Sequence, residues 1–170
     1  ILTDTITRLA REYMHGEQVP FIPAGLDLHK PLTELPGLVP EDALASWQQL
    51  VRNGFSLHGI DYDRLLNDLA CDDQVVVCVD AVHGASRGYI RRLLNDPPPA
   101  RLILLRDSED PTFGGIAPEP SSTNMQPVLA ALTARSEPLK IGAIIDPDGD
   151  RIRFTDATVE ISMNQFGAMA

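Results

Sequence analysis

The sequence predicts an α/β fold: a three-layer α/β/α arrangement around a mostly parallel, mixed sheet of about four to five strands with an antiparallel edge. Three observations predict it. The apolar runs QVVVCVDA (74–81), RLILLRD (101–107) and IGAIID (141–146) are continuous rather than alternating, as in strands covered on both faces. Helical stretches separate them at the spacing of parallel strands joined by right-handed crossovers. After the third run, RIRFTD (151–156) and TVEIS (158–162) read as a hairpin around Asp156 and Ala157, which supplies the antiparallel edge.

The elements follow in order. Ile6, Leu9, Ala10 and Tyr13 repeat at helical spacing, with Thr3 or Thr5 as a cap and Gly16 as a stop. Residues 19–40 are rich in Pro and Gly and read as a long connector. Residues 41–53 (EDALASWQQLVRN) form a helix with Pro40 at its first turn, and 61–69 form a second, shorter one. HGASRG turns the first strand into a helix from Ser86 to Asn95, with Ile90, Leu93 and Leu94 on one side. PPPA resets the chain before the second strand. A loop with Phe113, Gly114, Gly115 and APEP follows, then a helix capped by Thr123 or Asn124 and carrying Val128, Leu129 and Leu132.

The chain has 170 residues, enough for one medium domain plus an appendage. Hydrophobic residues are 44% and charged residues 22%, ordinary for a globular protein. The formal net charge of −10 excludes the basic footprint of a nucleic-acid binder and disfavours polyanionic partners. No stretch approaches the ~20 apolar residues of a membrane span, and no signal peptide is visible. Cys71 and Cys78 read as reduced core thiols, too sparse for a disulfide framework or a zinc site, which places the protein in the cytoplasm. The chain starts at Ile1 and stops at FGAMA, and reads as a piece of a longer protein.

The third strand runs into Asp146, Asp148 and Asp150, followed by Arg151 and Arg153. In an open α/β sheet, ligands bind beyond the carboxyl ends of the strands, where Asp146 sits. Positions 146, 148 and 150 can converge on one point in a turning backbone. Pro147 limits the turn and Gly149 tightens it. Three convergent carboxylates suit a hard divalent cation, most naturally Mg²⁺. The bland alternative is a solvated acidic turn that binds nothing.

An EF-hand loop starting at Asp146 would need Gly and Glu where Arg151 and Ala157 stand. A haloacid-dehalogenase-type phosphatase would need Thr or Val at Asp150 and a downstream Lys, and no Lys follows. DPDGDR (146–151) instead resembles, at every defined position, the D-x-D-x-D-R metal loop of the phosphohexomutase superfamily of phosphoglucomutases and phosphomannomutases. VVVCVDAVHGASRGYIRRLL resembles the first strand, glycine turn and helix of that family's second domain. DPTFGGIAPEPSSTNMQPVLAAL resembles the loop and helix before the metal strand, and MNQFGAMA the entry to the third domain. ILTDTITRLAREY resembles, more loosely, the closing helix of the first domain.

The resemblance implies residues 1–40 as the tail of a preceding domain and a linker, 41–163 as domain II with the metal loop at 146–151, and 164–170 as the start of the next domain. It implies a phosphotransferase that interconverts hexose 1- and 6-phosphates through a phosphoserine and a bound bisphosphate. Asp146, Asp148 and Asp150 would hold Mg²⁺, and Asp150 and Arg151 would meet the phosphate. Its partners would be a phosphosugar and a sugar bisphosphate, shared with other domains, with no nucleic acid and no membrane. No catalytic residue is assigned within the chain: the family's phosphoserine motif and its third- and fourth-domain sugar and phosphate loops do not occur in it. The chain alone is therefore expected to be inactive. The alternatives are a haloacid-dehalogenase-like phosphatase and a non-catalytic α/β module.

Other polar residues read more simply. Arg153 is expected to pair with Asp156 or Glu160, and His83 to be a hydrogen-bonded structural histidine at a tight turn. His15, His29 and His58 read as solvated, Arg87, Arg91 and Arg92 as a helix face, and Tyr89 and Trp47 as packing residues. APEP is assigned no chemistry.

Overall fold

The structure, a computed structural model, describes residues 2–15, 39 and 41–169. It divides into two compact units, Ile1–Asp42 and Ala43–Ala170. In the first, helix α1 spans Leu2–His15, with Arg8 and Glu12 paired across one turn at 2.6 Å. Thr3 and Thr5 lie inside this helix rather than capping it, and Ile6 and Leu9 are exposed. The Gly16 stop, His29, the 19–38 connector and the Pro40 turn lie outside the described residues.

The second unit begins with α2 (Ala43–Asn53), α3 (Phe55–His58) and α4 (Tyr62–Cys71). Asp61 caps α4 by accepting from the Arg64 N–H at 3.0 Å, satisfying one of the free donors of a helix start. Tyr62, Leu66 and Leu69 are the buried face of α4. The Tyr62 hydroxyl donates to Leu93 O and accepts from Gln48 Nε2 at 3.0 Å. Trp47 meets Tyr62 edge-on, with ring centroids 6.0 Å apart, yet keeps an exposed side, as does Tyr89. Trp47 packs as the sequence suggested, but on one side only.

Five strands make the sheet: β1 (Val75–Asp80), β2 (Leu102–Leu105), β3 (Leu139–Ile145), β4 (Ile152–Thr155) and β5 (Glu160–Ile161), in the order β2-β1-β3-β4-β5. β1 is central and pairs in parallel with both neighbours, Val77 facing Leu102 on one side and Ile141 on the other. β4 and β5 complete the sheet antiparallel, with Ala143 opposite Phe154 and Phe154 opposite Ile161. The mixed sheet with its antiparallel edge is the architecture the apolar runs predict. β3 is less buried than its composition implies: Leu139 and Ile141 are exposed, and burial starts at Gly142.

Two apolar layers flank the sheet. On one face, α6 (Ser122–Thr133) sets Met125, Val128 and Leu132 against Val76, Cys78 and Ile144. On the other, Ile90 of α5 (Tyr89–Leu93) packs with Val79, Leu102 and Ala143. Alternate residues of β1 thus serve opposite layers, as the period of a strand dictates. α6 lies very close to β3. A Cβ on Gly142 would stand 2.6 Å from Thr155 Cγ2 and 2.7 Å from Val128 Cγ1.

Some boundaries differ from expectation. α6 is capped by Ser121, whose Oγ accepts from Asn124 N–H at 3.2 Å, rather than by Thr123 or Asn124. α5 is five residues long because Gly88 takes a left-handed conformation (φ +73), so 84–88 is spent on turns. Cys71 is exposed, while Cys78 is buried; burial first, then the charge of Asp80, pushes the Cys78 thiol up to about 12. A final helix, α7, spans Met163–Met169. Among the described residues, no helix is long and apolar enough to cross a membrane.

Candidate metal centre

The 146–151 segment is the tight connection between β3 and β4, closed where Ile145 pairs with Ile152. Asp146 N–H donates to Arg151 O at 3.1 Å, and Gly149 N–H to Asp146 O at 3.1 Å. Gly149 has φ +82, a conformation few other residues tolerate, which is why glycine stands at the tip.

The Asp146 carboxylate lies at the carboxyl end of β3 and is fully buried. Its Oδ1 accepts from Gly149 N–H (3.1 Å) and Arg151 N–H (3.0 Å), and its Oδ2 accepts from Arg151 Nε (2.7 Å). Burial opposes its charge, but the hydrogen bonds from the Arg151 backbone and side chain outweigh that and hold its carboxyl below the ordinary value. Asp148 and Asp150 are exposed, and one carboxylate oxygen from each of the three aspartates lies within 4.8 Å of the others. Asp150 is pushed up by its hydrogen bond with Asp146 and then by the charge of Asp148. Like charges this close resist simultaneous ionisation, so the cluster favours a positive charge among its oxygens. The donor set is oxygen alone, without Cys or His, and fits a hard divalent cation such as Mg²⁺.

Arg151 supplies positive charge in the structure itself. Its Nε is 2.7 Å from Asp146 Oδ2 and 3.4 Å from Asp150 Oδ1, and its Nη1 pairs with Glu119. The bonds to Glu119 and then Asp146 raise its already high pKa. Nη2 makes no hydrogen bond among the described residues. Glu119 belongs to the APEP stretch, to which the sequence reading gave no role. Its single acidic residue, flanked by prolines, was the trace that could have drawn attention to it.

Two further features position the loop. The turn after β1 braces it: Ala85 N–H donates to Pro147 O at 2.6 Å, and a Cβ on Gly84 would stand 2.3 Å from Pro147 Cα. Only glycine fits there. The second feature was not foreseen. Asp80, ending β1 and fully buried, receives Arg106 Nε at 2.8 Å and Nη2 at 2.6 Å, and Val82 N–H at 2.9 Å. Arg106 also donates to Asn124 O at 3.0 Å, tying the ends of β1 and β2 to the start of α6. The pattern was readable in retrospect: one apolar run closes on an acid and its parallel neighbour on a base.

His83 is structural, as expected. Its Nδ1 lies 2.8 Å from Ser108 O, and its φ of +57 belongs to the turn. Arg153 pairs with Glu160 at 3.2 Å and donates to Pro120 O at 2.7 Å. Asp156, the other suggested partner, instead accepts from Thr158 and Val159 N–H groups at 2.8 Å.

The family described as "Phosphoglucomutase/phosphomannomutase, alpha/beta/alpha domain II" matches residues 61–159. The chain belongs to this family. Phosphoglucomutase/phosphomannomutase membership sets aside the dehalogenase-type alternative. Phosphoglucomutase-like protein 5 of Mus musculus is 32% identical over 113 residues, covering 65% of this chain and 18% of that protein. Among solved structures, the open form of pp63/parafusin from Paramecium, a phosphoglucomutase, covers 69% of this chain and 20% of its own, at a TM-score of 0.51 and 22% identity. That likeness speaks to the fold. A phosphoglucomutase/phosphomannomutase family protein from Burkholderia thailandensis is 28% identical, covering 56% of this chain and 20% of its own, with a TM-score of 0.43. The chain thus spans about a fifth of the length of the relatives it matches.

Proposed function

We propose that this chain is the cation-holding domain of a phosphohexomutase, an enzyme that interconverts hexose 1- and 6-phosphates through a phosphoserine and a bisphosphate intermediate. Residues 41–163 serve as domain II, with 1–40 and 164–170 belonging to its neighbours. The observation that carries the reading is the convergence of three carboxylates at the end of β3 in a chain of this family.

In this reading Asp146, Asp148 and Asp150 hold Mg²⁺, which when bound supplies a Lewis acid to a phosphoryl oxygen. The chain's own residues do the rest. Asp146 anchors the cluster from a buried position, with three N–H donors fixing its plane. Asp148 and Asp150 face solvent, from which a phosphosugar would arrive. Arg151, with its Nη2 edge open, donates to a phosphate oxygen; its planar fork suits that geometry. Phosphoryl transfer is largely positioning plus electrostatic stabilisation, and this loop offers both. The serine that carries the phosphoryl group lies outside these residues, so the isolated chain has no mutase activity.

The test is a Mn²⁺ titration followed by electron paramagnetic resonance. The expected result is one site weaker than about 0.1 mM, the range of sites with few protein ligands, abolished in Asp148→Asn. Micromolar stoichiometric binding would contradict a site shared with phosphate from another domain. Binding indifferent to Asp148→Asn would remove the cation assignment. Turnover of hexose phosphates by the pure chain would refute the division of labour.

A further inference from the structure

Glu119 sits in the 117–121 loop leading into α6, and that loop is pinned. Asn124 Nδ2 donates to Ala117 O and Glu119 O, both at 2.7 Å, and Arg153 Nε donates to Pro120 O at 2.7 Å. The Glu119 carboxylate therefore meets Arg151 from a fixed backbone. An exposed ion pair ordinarily contributes little, because two long side chains must be ordered to form it. Here Arg151 is already held at Nε by Asp146, and the Glu119 backbone by Asn124, so much of that ordering is done beforehand.

The lone pairs of Asp146 show what the pair can do. Oδ1 takes two N–H donors and is filled. Oδ2 takes one, from Arg151 Nε, and keeps a single direction for a cation. Arg151 and a metal ion would thus share one oxygen, and a guanidinium swung further over it would crowd the ion out. A guanidinium without a second anion would settle on Asp146 and on Asp150, whose Oδ1 is already 3.4 Å from Nε. Glu119 takes Nη1 instead and fixes the guanidinium plane, leaving Nη2 without a hydrogen bond among the described residues.

We propose that Glu119 is a positioning residue for Arg151: by taking Nη1 it holds the guanidinium to a single hydrogen bond on the aspartate cluster, so that Asp146 Oδ2 keeps one direction for a divalent cation and Nη2 is left for an oxyanion. It acts through Arg151 and does not ligate the cation. The cation half of this inference rests on the metal reading given above.

The experiment has one arm without metal and one with it. In the metal-free chain, ¹⁵N NMR of the arginine Nε–H groups follows rotation of the Arg151 guanidinium, its resonance assigned with Arg151→Lys. Rotation should be slow in the unsubstituted chain and several-fold faster in Glu119→Gln; equal rates overturn the proposal. In the metal arm, Mn²⁺ is titrated under paramagnetic resonance. Glu119→Gln should weaken binding up to about fivefold, the range of one ion pair. Asp68→Asn on α4, an identical charge change, should have a smaller effect. In an Arg151→Gln background the Glu119→Gln effect should fall to that of Asp68→Asn. A full effect persisting there would mean that Glu119 acts on the cation directly, against the proposal. If the unsubstituted chain shows no Asp148-dependent Mn²⁺ binding, the cation reading fails, and the NMR arm alone decides the positioning role.

Discussion

Gly84 and Gly149 allow one substitution to be judged by two different physical causes. At Gly84 an added Cβ would lie 2.3 Å from Pro147 Cα and 2.7 Å from Pro147 O, whereas ordinary contact begins at 3.4 Å. Relief requires a shift of about 1 Å between the β1 turn and the 146–151 loop, both of them backbone. Overpacking of this kind costs roughly 1–3 kcal/mol. Straining the Ala85 N–H to Pro147 O bond adds about 0.5–1.5 kcal/mol. Gly84→Ala should therefore destabilise by about 1.5–4.5 kcal/mol. Gly149→Ala meets nothing within 4 Å and suffers only from its φ of +82, about 1–2 kcal/mol. Urea unfolding reports both, and a Mn²⁺ titration of the folded variants shows whether Gly84→Ala displaces the loop. Gly84→Ala with unchanged midpoint and unchanged Mn²⁺ affinity would refute the idea that the β1 turn braces the site.

Two further outcomes follow from buried and hydrogen-bonded groups. Thr158 chiefly, then the backbone of Val159, holds Asp156 down at about 2, and a side-chain bond from Arg135 first of all holds Glu137 at about 2. Both folded values lie below the unfolded ones, so the unfolded chain binds more protons; their stabilisation is complete above about pH 4.5 and is lost as pH falls toward 2. The gap in urea midpoint between the unsubstituted chain and Asp156→Asn should narrow over that window, and parallel curves would contradict it. For the cysteines, exposed Cys71 should react with a thiol reagent in the native chain and buried Cys78, its thiol pushed up to about 12, only on unfolding. Two fast-reacting thiols in native buffer would show that the layer under α6 opens readily.

Much of the fold was legible because its strands are covered on both faces. Val76 and Cys78 face one layer and Val79 the other, so QVVVCVDA had to be apolar throughout. Hairpin geometry was legible too, since β4 and β5 flank Ala157 with φ +77. Helix lengths and caps were less so. Gly88 ends the local helical option after β1 for reasons of backbone conformation, and Ser121 outcompetes Thr123 as a cap because the chain enters α6 extended there. The three aspartates announced themselves by spacing within one turn. Glu119 and the Asp80–Arg106 pair did not, because their partners lie 32 and 26 residues away along the chain. Only the parallel register of β1 and β2 and the path of the APEP loop bring them together.

Asp146 has a consequence for how such a loop can be probed. The loop is wrapped around its own candidate ligand: the same carboxylate that would face a cation also collects the amides of Gly149 and Arg151. An asparagine there would aim an NH₂ at Arg151 Nε, setting donor against donor. Shape and chemistry are therefore inseparable at this residue, and its replacement reports a mixture of misfolding and lost coordination. Asp148, exposed and outside the loop's internal bonding, keeps the two apart. In a turn built this way the template cannot be removed without the cast, so ligand deletion belongs at the rim.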